Sequence, residues 1–328
     1  MKGLLSNNRS IDLQRKHKRM NRYYSNGKLL LTGEYVVLDG AASLAVPTKF
    51  GQDLVITPLQ EPQLVWGSFT HTGECWFEAV FDLPKLRLKN ATFNSNFEGS
   101  AEFIAETLQG ILSAARKMNP DFLQTQQGCM VKTTLSFPRN WGLGSSSTLI
   151  QNIASWAGVD GYQLLWSAFS GSGYDIACAQ NDTPLIYQLK EKKPLVTTVD
   201  FEPEFHEELF FVHLNKKQNS RDGISQYKKN NQNSESEIAV ISNLSSEFRN
   251  AKSSVELAKV MEEHERVIAS IIQLTPVKKQ LFPTYFGAVK SLGAWGGDFV
   301  LAIGNEDTPS YFKEKGFETV LSYREMIL

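Results

Sequence analysis

The apolar positions along the chain switch between two periods. From Tyr24 onward, "GKLLLTGEYVVLDGAASLAVPTKFGQDLVI" carries leucine and β-branched runs punctuated by Gly33, Gly40 and Gly51, the pattern of strands joined by tight turns. "QLVWGSF" and "CWFEAVF" flank the turn-like "THTG", so residues 62–88 continue as antiparallel strands. The period then changes. Ile104, Leu108, Ile111, Leu112 and Ala115 recur at helical spacing behind a capping Ser100, and Pro120 closes this first helix. "CMVKTTLSF" alternates like a strand, and after Pro138 the residues Leu149, Ile150, Ile153, Ala154 and Ala157 give a second helix one apolar face.

Residues 190–235 turn polar, notably "KKNNQNSESE", which predicts a flexible loop and a boundary between two halves. Two helices are expected next. The second opens on a capping box, Ser253 with Glu256, and carries Leu257, Val260, Met261, Val267, Ile268 and Ile271 toward Pro276. "GAVKSLGAWGGDFVLAI" reads as a glycine-rich turn feeding a strand, followed by a helix at "PSYFKEKG" and a last strand at "FETVLSY". No repeat of fixed period is visible, which excludes a solenoid.

Composition narrows the class. At 328 residues, 41% apolar and 21% charged, the chain is an ordinary globular protein of one large or two closely packed domains. Its net charge of -1 gives no global field to recruit nucleic acid or a membrane surface. Its apolar runs stop well short of the roughly 20 residues that span a bilayer. Cys75, Cys129 and Cys178 form no CxxC pair and the five histidines no ligand spacing, so the expectation is a cytoplasmic protein without disulfides or a zinc site. The basic residues of the segment 1–20 are read as a disordered extension, with Met20 as an alternative initiator.

Three segments carry candidate chemistry. In "PRNWGLGSSST", Gly142 and Gly144 let backbone N–H groups approach an oxyanion, and the helix behind them directs its positive end to the same point. No Gly-Lys-Ser/Thr follows, so this is not a Walker loop; on its own the stretch is either a phosphate cradle or a plain capped helix. "GSGYDIA" places Asp175 beside two glycines, either as a cleft carboxylate or as a turn aspartate. "GAWGGDF" is a third glycine loop or a tight structural turn.

Taken in order with "NGKLLLTGEYVVLDGAASLAV", these segments resemble the GHMP small-molecule kinases, in particular the mevalonate and phosphomevalonate kinase branch, and "GYDIA" resembles the signature of a bacterial subgroup. The resemblance runs from about residue 23 to 303. It implies a two-lobed α+β fold: an ATP-binding lobe over 21–190 with a left-handed βαβ crossover, a ferredoxin-like lobe over 191–328, and the site in the cleft between them. ATP and Mg2+ are the implied cofactors. Pro138, Gly142, Leu143, Gly144, Ser145, Ser146 and Ser147 would wrap the phosphates, with Ser146 also on the metal, and Asp175 and Lys28 would be catalytic. Glu34, Tyr35, Ser172, Gly173, Ser220, Gly293, Trp295, Gly296 and Gly297 would face the acceptor.

The implied partners are a small-molecule acceptor and ATP, with the chain a monomer or homodimer. Where mevalonate kinases carry a metal-binding Glu, this chain offers Leu164, Trp166 and Phe169, and Trp295 replaces a usual glycine, so its bulk is expected to reshape the acceptor pocket. Tyr35 and Asp298 lean toward the phosphomevalonate side. A non-catalytic regulator of the same fold and a decarboxylase-like enzyme are the alternatives.

Overall fold

The structure is a computed structural model and describes residues 20–94, 99–124, 127–216, 224, 227–228 and 235–328. The expectation for the basic segment therefore lies, Met20 apart, outside the described residues, and so does Ser220. Eight strands make a mixed sheet in the order β5-β4-β3-β6-β2-β7-β8, with β1 paired to β2. They are β1 (Asn21–Leu30), β2 (Ser43–Leu59), β3 (Gln63–Phe69), β4 (Cys75–Asp82), β5 (Arg87–Phe93), β6 (Gly128–Leu135), β7 (Leu185–Lys190) and β8 (Lys193–Thr198). Among the described residues only β3 and β6 pair in parallel, which requires the long crossover that holds α1 (Ala101–Met118).

Ser100 caps α1 as its sequence predicts, accepting from the Phe103 N–H at 3.2 Å. The apolar stripe of α1 packs with Ile150, Ile153 and Ala154 of α2 (Ser145–Ala157) and Leu164 and Leu165 of α3 (Gly161–Ala168) over Leu54, Trp66, Phe81 and Val131 of the sheet. A short helix, α4 (Tyr174–Gln180), lies against β1 and α2.

A second, antiparallel sheet has the order β10-β11-β9-β12, built from β9 (Leu209–His213), β10 (Val289–Ser291), β11 (Phe299–Ile303) and β12 (Val320–Ser322). Between β9 and β10 run α5 (Glu235–Asn250), α6 (Ser254–Ile272) and α7 (Val277–Leu281), and between β11 and β12 runs α8 (Thr308–Glu314). This is the split βαβ connectivity of a ferredoxin-like unit. Strand β9 corrects the polar-loop reading of residues 190–235: "LFFVH" is fully buried and central to its sheet. The capping box also differs in detail. Ser253 accepts from the Glu256 N–H, but Glu256 reaches one residue further back, to the Lys252 N–H at 2.8 Å.

The two sheets share a core. Leu29, Leu44 and Val46 of the first, with Leu31 just past the end of β1, pack with Phe211, Phe299 and Leu301 of the second and with Phe248 and Met261 of the helices, and Leu143 of the glycine loop is anchored in the same cluster. Among the described residues no helix is long and apolar enough to cross a membrane.

Candidate active site

The site begins at an irregularity in β1. The register with β2 shifts between Asn26 and Lys28, a bulge of the kind that re-aims a side chain. Gly27 sits in this bulge because a Cβ there would lie 2.7 Å from Thr48 Oγ1, 2.9 Å from Phe50 O and 3.0 Å from Leu143 O. The glycine loop thus presses directly on β1, and the Lys28 N–H donates to Leu143 O at 3.0 Å.

The two glycines of the loop have separate work. Gly144 (φ 89) is the N-cap of α2 and, having no side chain, supplies no acceptor to the free N–H groups of the first turn. A Cβ on it would meet Ser147 Oγ at 2.7 Å and Lys28 Cγ at 3.2 Å. A Cβ on Gly142 (φ 68) would lie 2.2 Å from Asp298 Cγ. The chain's own lysine and aspartate therefore fill the spaces that the missing side chains leave, one at each glycine. No side chain caps α2, and the nearby hydroxyls turn back: Ser147 donates to Gly144 O at 2.8 Å, and Thr148 to Gln52 Oε1 at 2.6 Å. Pro138 starts the approach, accepting the Trp141 N–H at 3.0 Å; Ser145 is half-buried and Ser146 exposed.

Gly142→Ala is expected to cost about 1–3 kcal/mol from backbone strain alone, before the collision with Asp298 is counted. Chemical denaturation checks the cost, and nucleotide titration should show the loop displaced.

Asp175 occupies the first turn of α4, behind Gly173 (φ 93), with its Oδ1 accepting the Ile176 N–H at 3.1 Å. Burial pushes its carboxyl above the ordinary value, and the opposing Lys28 charge, backbone N–H groups and Ser147 hydroxyl do not cancel the effect. Burial works against the Lys28 ammonium, but Tyr174, Asp298 and Asp175 together hold it above its ordinary value. Its Nζ lies 5.6 Å from the centre of the Tyr174 ring. Lys28, Ser147, Asp175 and the loop are thus one constellation. Ser172 is buried nearby and its carbonyl accepts from the Tyr187 hydroxyl.

The acceptor-facing candidates divide. Gly293 (φ 63) and Gly296 (φ 89) have open space where a Cβ would be, whereas Gly297 is buried. Trp295 is 3% exposed and belongs to a buried cluster with Tyr35, Val36, Ala41, Ile241, Ile268 and Ile272, its Nε1 without a hydrogen-bond partner among the described residues. Tyr35 stacks on Tyr227 with ring centres 5.6 Å apart, and its hydroxyl accepts the Trp295 N–H at 3.2 Å.

Glu34 is fully buried; its Oε1 pairs with Lys290, while its Oε2 finds no hydrogen-bond partner among the described residues. Lys290 Nζ also donates to Ser291 O at 2.9 Å, and Glu265 Oε1 accepts the Ser291 N–H at 2.7 Å. His264 Nε2 lies 3.5 Å from Glu34 Oε2, but it accepts the Gly33 N–H at 3.0 Å, so it carries a lone pair and the contact is not an ion pair. Burial and the Lys290 charge agree, holding the imidazole well below its ordinary value.

Sequence reasoning missed Lys290, His264 and Glu265. A signal existed: His264 continues the buried stripe of Leu257, Met261, Ile268 and Ile271, a position where a polar residue needs a partner. Burial pushes Glu265 up to about 7, with Glu34 adding and Lys290 opposing. Folded chains therefore keep a proton that unfolded chains release above the ordinary 4.5, and this stabilising contribution is lost as pH rises through about 7. Glu265→Gln should remove that loss, so its urea midpoint is expected to gain on the wild type between about pH 5 and 8.

Solved structures share this architecture. The chain is similar to the mevalonate kinase of Methanococcus jannaschii, at 17% identity and a TM-score of 0.65 over 93% of this chain and 97% of that one. It is also similar to Streptococcus pneumoniae phosphomevalonate kinase in complex with phosphomevalonate and AMPPNP, at 16% identity and 0.63 over 92% and 98%. Lactococcus lactis galactokinase, complexed with galactose, matches at 13% identity and 0.63 over 91% and 89%. All three are GHMP kinases, and at these identities the likeness establishes the fold: this chain has that of the GHMP-type small-molecule kinases. No protein-family model and no curated protein matches it.

Proposed function

We propose that the protein is an ATP-dependent kinase of a small acceptor most like mevalonate or phosphomevalonate. The observation that carries this reading is the convergence of Lys28 and Asp175, from β1 and α4, on the uncapped N-terminus of α2 behind the glycine loop. The N–H groups from Gly142 to Ser147 and the Lys28 ammonium would take the charge of the transferred phosphoryl group. Asp175, made more basic by burial, would accept the proton of an acceptor hydroxyl as oxygen attacks phosphorus and ADP leaves. With a phosphomonoester acceptor, already ionised, Asp175 would position rather than deprotonate.

Magnesium suits the donors present. No group of three or more acidic, histidine or cysteine ligands occurs among the described residues, but Mg2+ bound with nucleotide needs only one or two protein oxygens besides phosphate and water. The hydroxyl of Ser146, exposed in the first turn of α2, is a hard oxygen donor of this kind. When bound, the ion would neutralise phosphate charge.

A coupled ADP-release screen over mevalonate, phosphomevalonate, homoserine and galactose tests the proposal. Acceptor-dependent ADP release from one of them is the expected result. Nucleotide binding without acceptor-dependent release would instead indicate a regulator, and carbon dioxide release from a diphosphorylated acid a decarboxylase.

A further inference from the structure

Five buried side-chain nitrogens and oxygens among the described residues meet no hydrogen-bond partner: Glu34 Oε2, His264 Nδ1, Glu265 Oε2, Ser291 Oγ and Trp295 Nε1. They are not scattered. Lys290 joins Glu34 to Ser291, the Ser291 N–H joins Glu265, His264 lies against Glu34, and Tyr35, next to Glu34, holds the Trp295 N–H. The patch thus draws on the turn after β1, on α6, on β10 and on the third glycine loop. None of the five residues is more than 4% exposed, so bulk solvent does not satisfy them. Buried polar groups are almost always paired, by protein or by enclosed water, because an unmade bond leaves the whole desolvation cost standing.

The nearest atoms cannot satisfy one another. His264 Nε2 already accepts the Gly33 N–H, so the neutral ring carries its proton on Nδ1. Nε2 therefore stands 3.5 Å from Glu34 Oε2 with no proton between them, and that oxygen needs a donor from elsewhere. His264 Nδ1 and Trp295 Nε1 are donors that need an acceptor. Ser291 Oγ, near the Glu265 carboxyl but outside hydrogen-bond geometry, can serve as either. Charge argues against an ion. The Glu34 carboxylate opposes an anion, while the two N–H donors and the Lys290 ammonium of the same patch oppose a cation, and no group of three metal-ligating side chains occurs among the described residues. The occupant that suits is small and neutral, and both donates and accepts. Water fits, since enclosed water makes about three bonds to groups of this kind.

We propose that ordered water is built into this patch, donating to Glu34 Oε2, accepting from His264 Nδ1 and Trp295 Nε1 and bonding Ser291 Oγ, and that it ties the third glycine loop to α6 and to the turn after β1. Trp295 is the loop's own member of the network, beside the bond its backbone makes to the Tyr35 hydroxyl. None of this depends on the reaction catalysed.

A crystal structure of the full chain, at a resolution that shows enclosed water, tests the proposal. At least one enclosed water within hydrogen-bond distance of Glu34 Oε2 and of His264 Nδ1 or Trp295 Nε1 is the expected result. Closure of these atoms directly on one another, with no enclosed water, overturns it, and so does an ion in that place, told from water by its scattering and coordination. Urea denaturation of Ser291→Ala needs no crystal. The variant keeps the N–H that Glu265 accepts and the carbonyl that takes the Lys290 bond, and loses only the hydroxyl. Its midpoint is expected to fall below that of the wild type, because the hydroxyl's bonds to water are lost. A midpoint unchanged or raised, the result for a hydroxyl that had no partner, overturns the network at Ser291.

Discussion

Replacing Asp175 by asparagine is expected to lower kcat on an alcohol acceptor by about 10² to 10⁴, the usual worth of a positioned general base. The substitution keeps the size of the side chain and an oxygen able to accept the Ile176 N–H, so α4 and the nucleotide loop should stay in place. Nucleotide affinity is accordingly expected to change only a few-fold, which separates loss of chemistry from loss of binding. The pH profile gives a second reading. Wild-type activity should fall on the acid side as the carboxylate takes up its proton, at a pH above the ordinary aspartate range because burial raises the group. That limb should vanish in the variant. If the natural acceptor is a phosphomonoester, the loss in kcat will be much smaller. An unchanged rate on an alcohol would remove Asp175 as the base.

The largest effect on stability is expected at Lys290. Its ammonium and the Glu34 carboxylate are both completely buried, and breaking such a pair by removing one partner costs about 3–5 kcal/mol, since a charge is left without compensation. Lys290→Met would strand Glu34 beside Glu265, itself already disfavoured as a carboxylate. A double variant, Lys290→Met with Glu34→Gln, should recover much of the loss, because an uncharged pair of similar volume has no ion to desolvate. Urea denaturation of wild type, both singles and the double measures the coupling. Equal losses in single and double variants would show that packing, not charge, dominates this spot.

How far the sequence alone reached depends on the range of the interactions. The Ser100 cap, the stripe of α1 and the helix behind Gly144 are decided by residues a few positions apart, and all were legible. "LFFVH" was not, because four apolar residues and a histidine after a polar stretch become a strand only once β11 and β12 pair with them. The grouping of Lys28, Asp175 and the loop could be anticipated through a resemblance of ordered motifs. The placement of Asp298 at Gly142, more than 150 positions away, leaves no local trace. The surroundings of Trp295 were hidden for the same reason: Tyr35, Ile241 and Ile268, which share its cluster, come from distant parts of the chain.

The pair of Glu34 and Lys290 also bears on movement. Glu34 follows β1 of the first sheet, and Lys290 lies in β10 of the second, directly ahead of the third glycine loop. A hinge that parted the two sheets here would separate two opposite charges at a completely buried point. The sheets are therefore riveted to each other at this point, just ahead of the loop that carries Gly293 and Gly296.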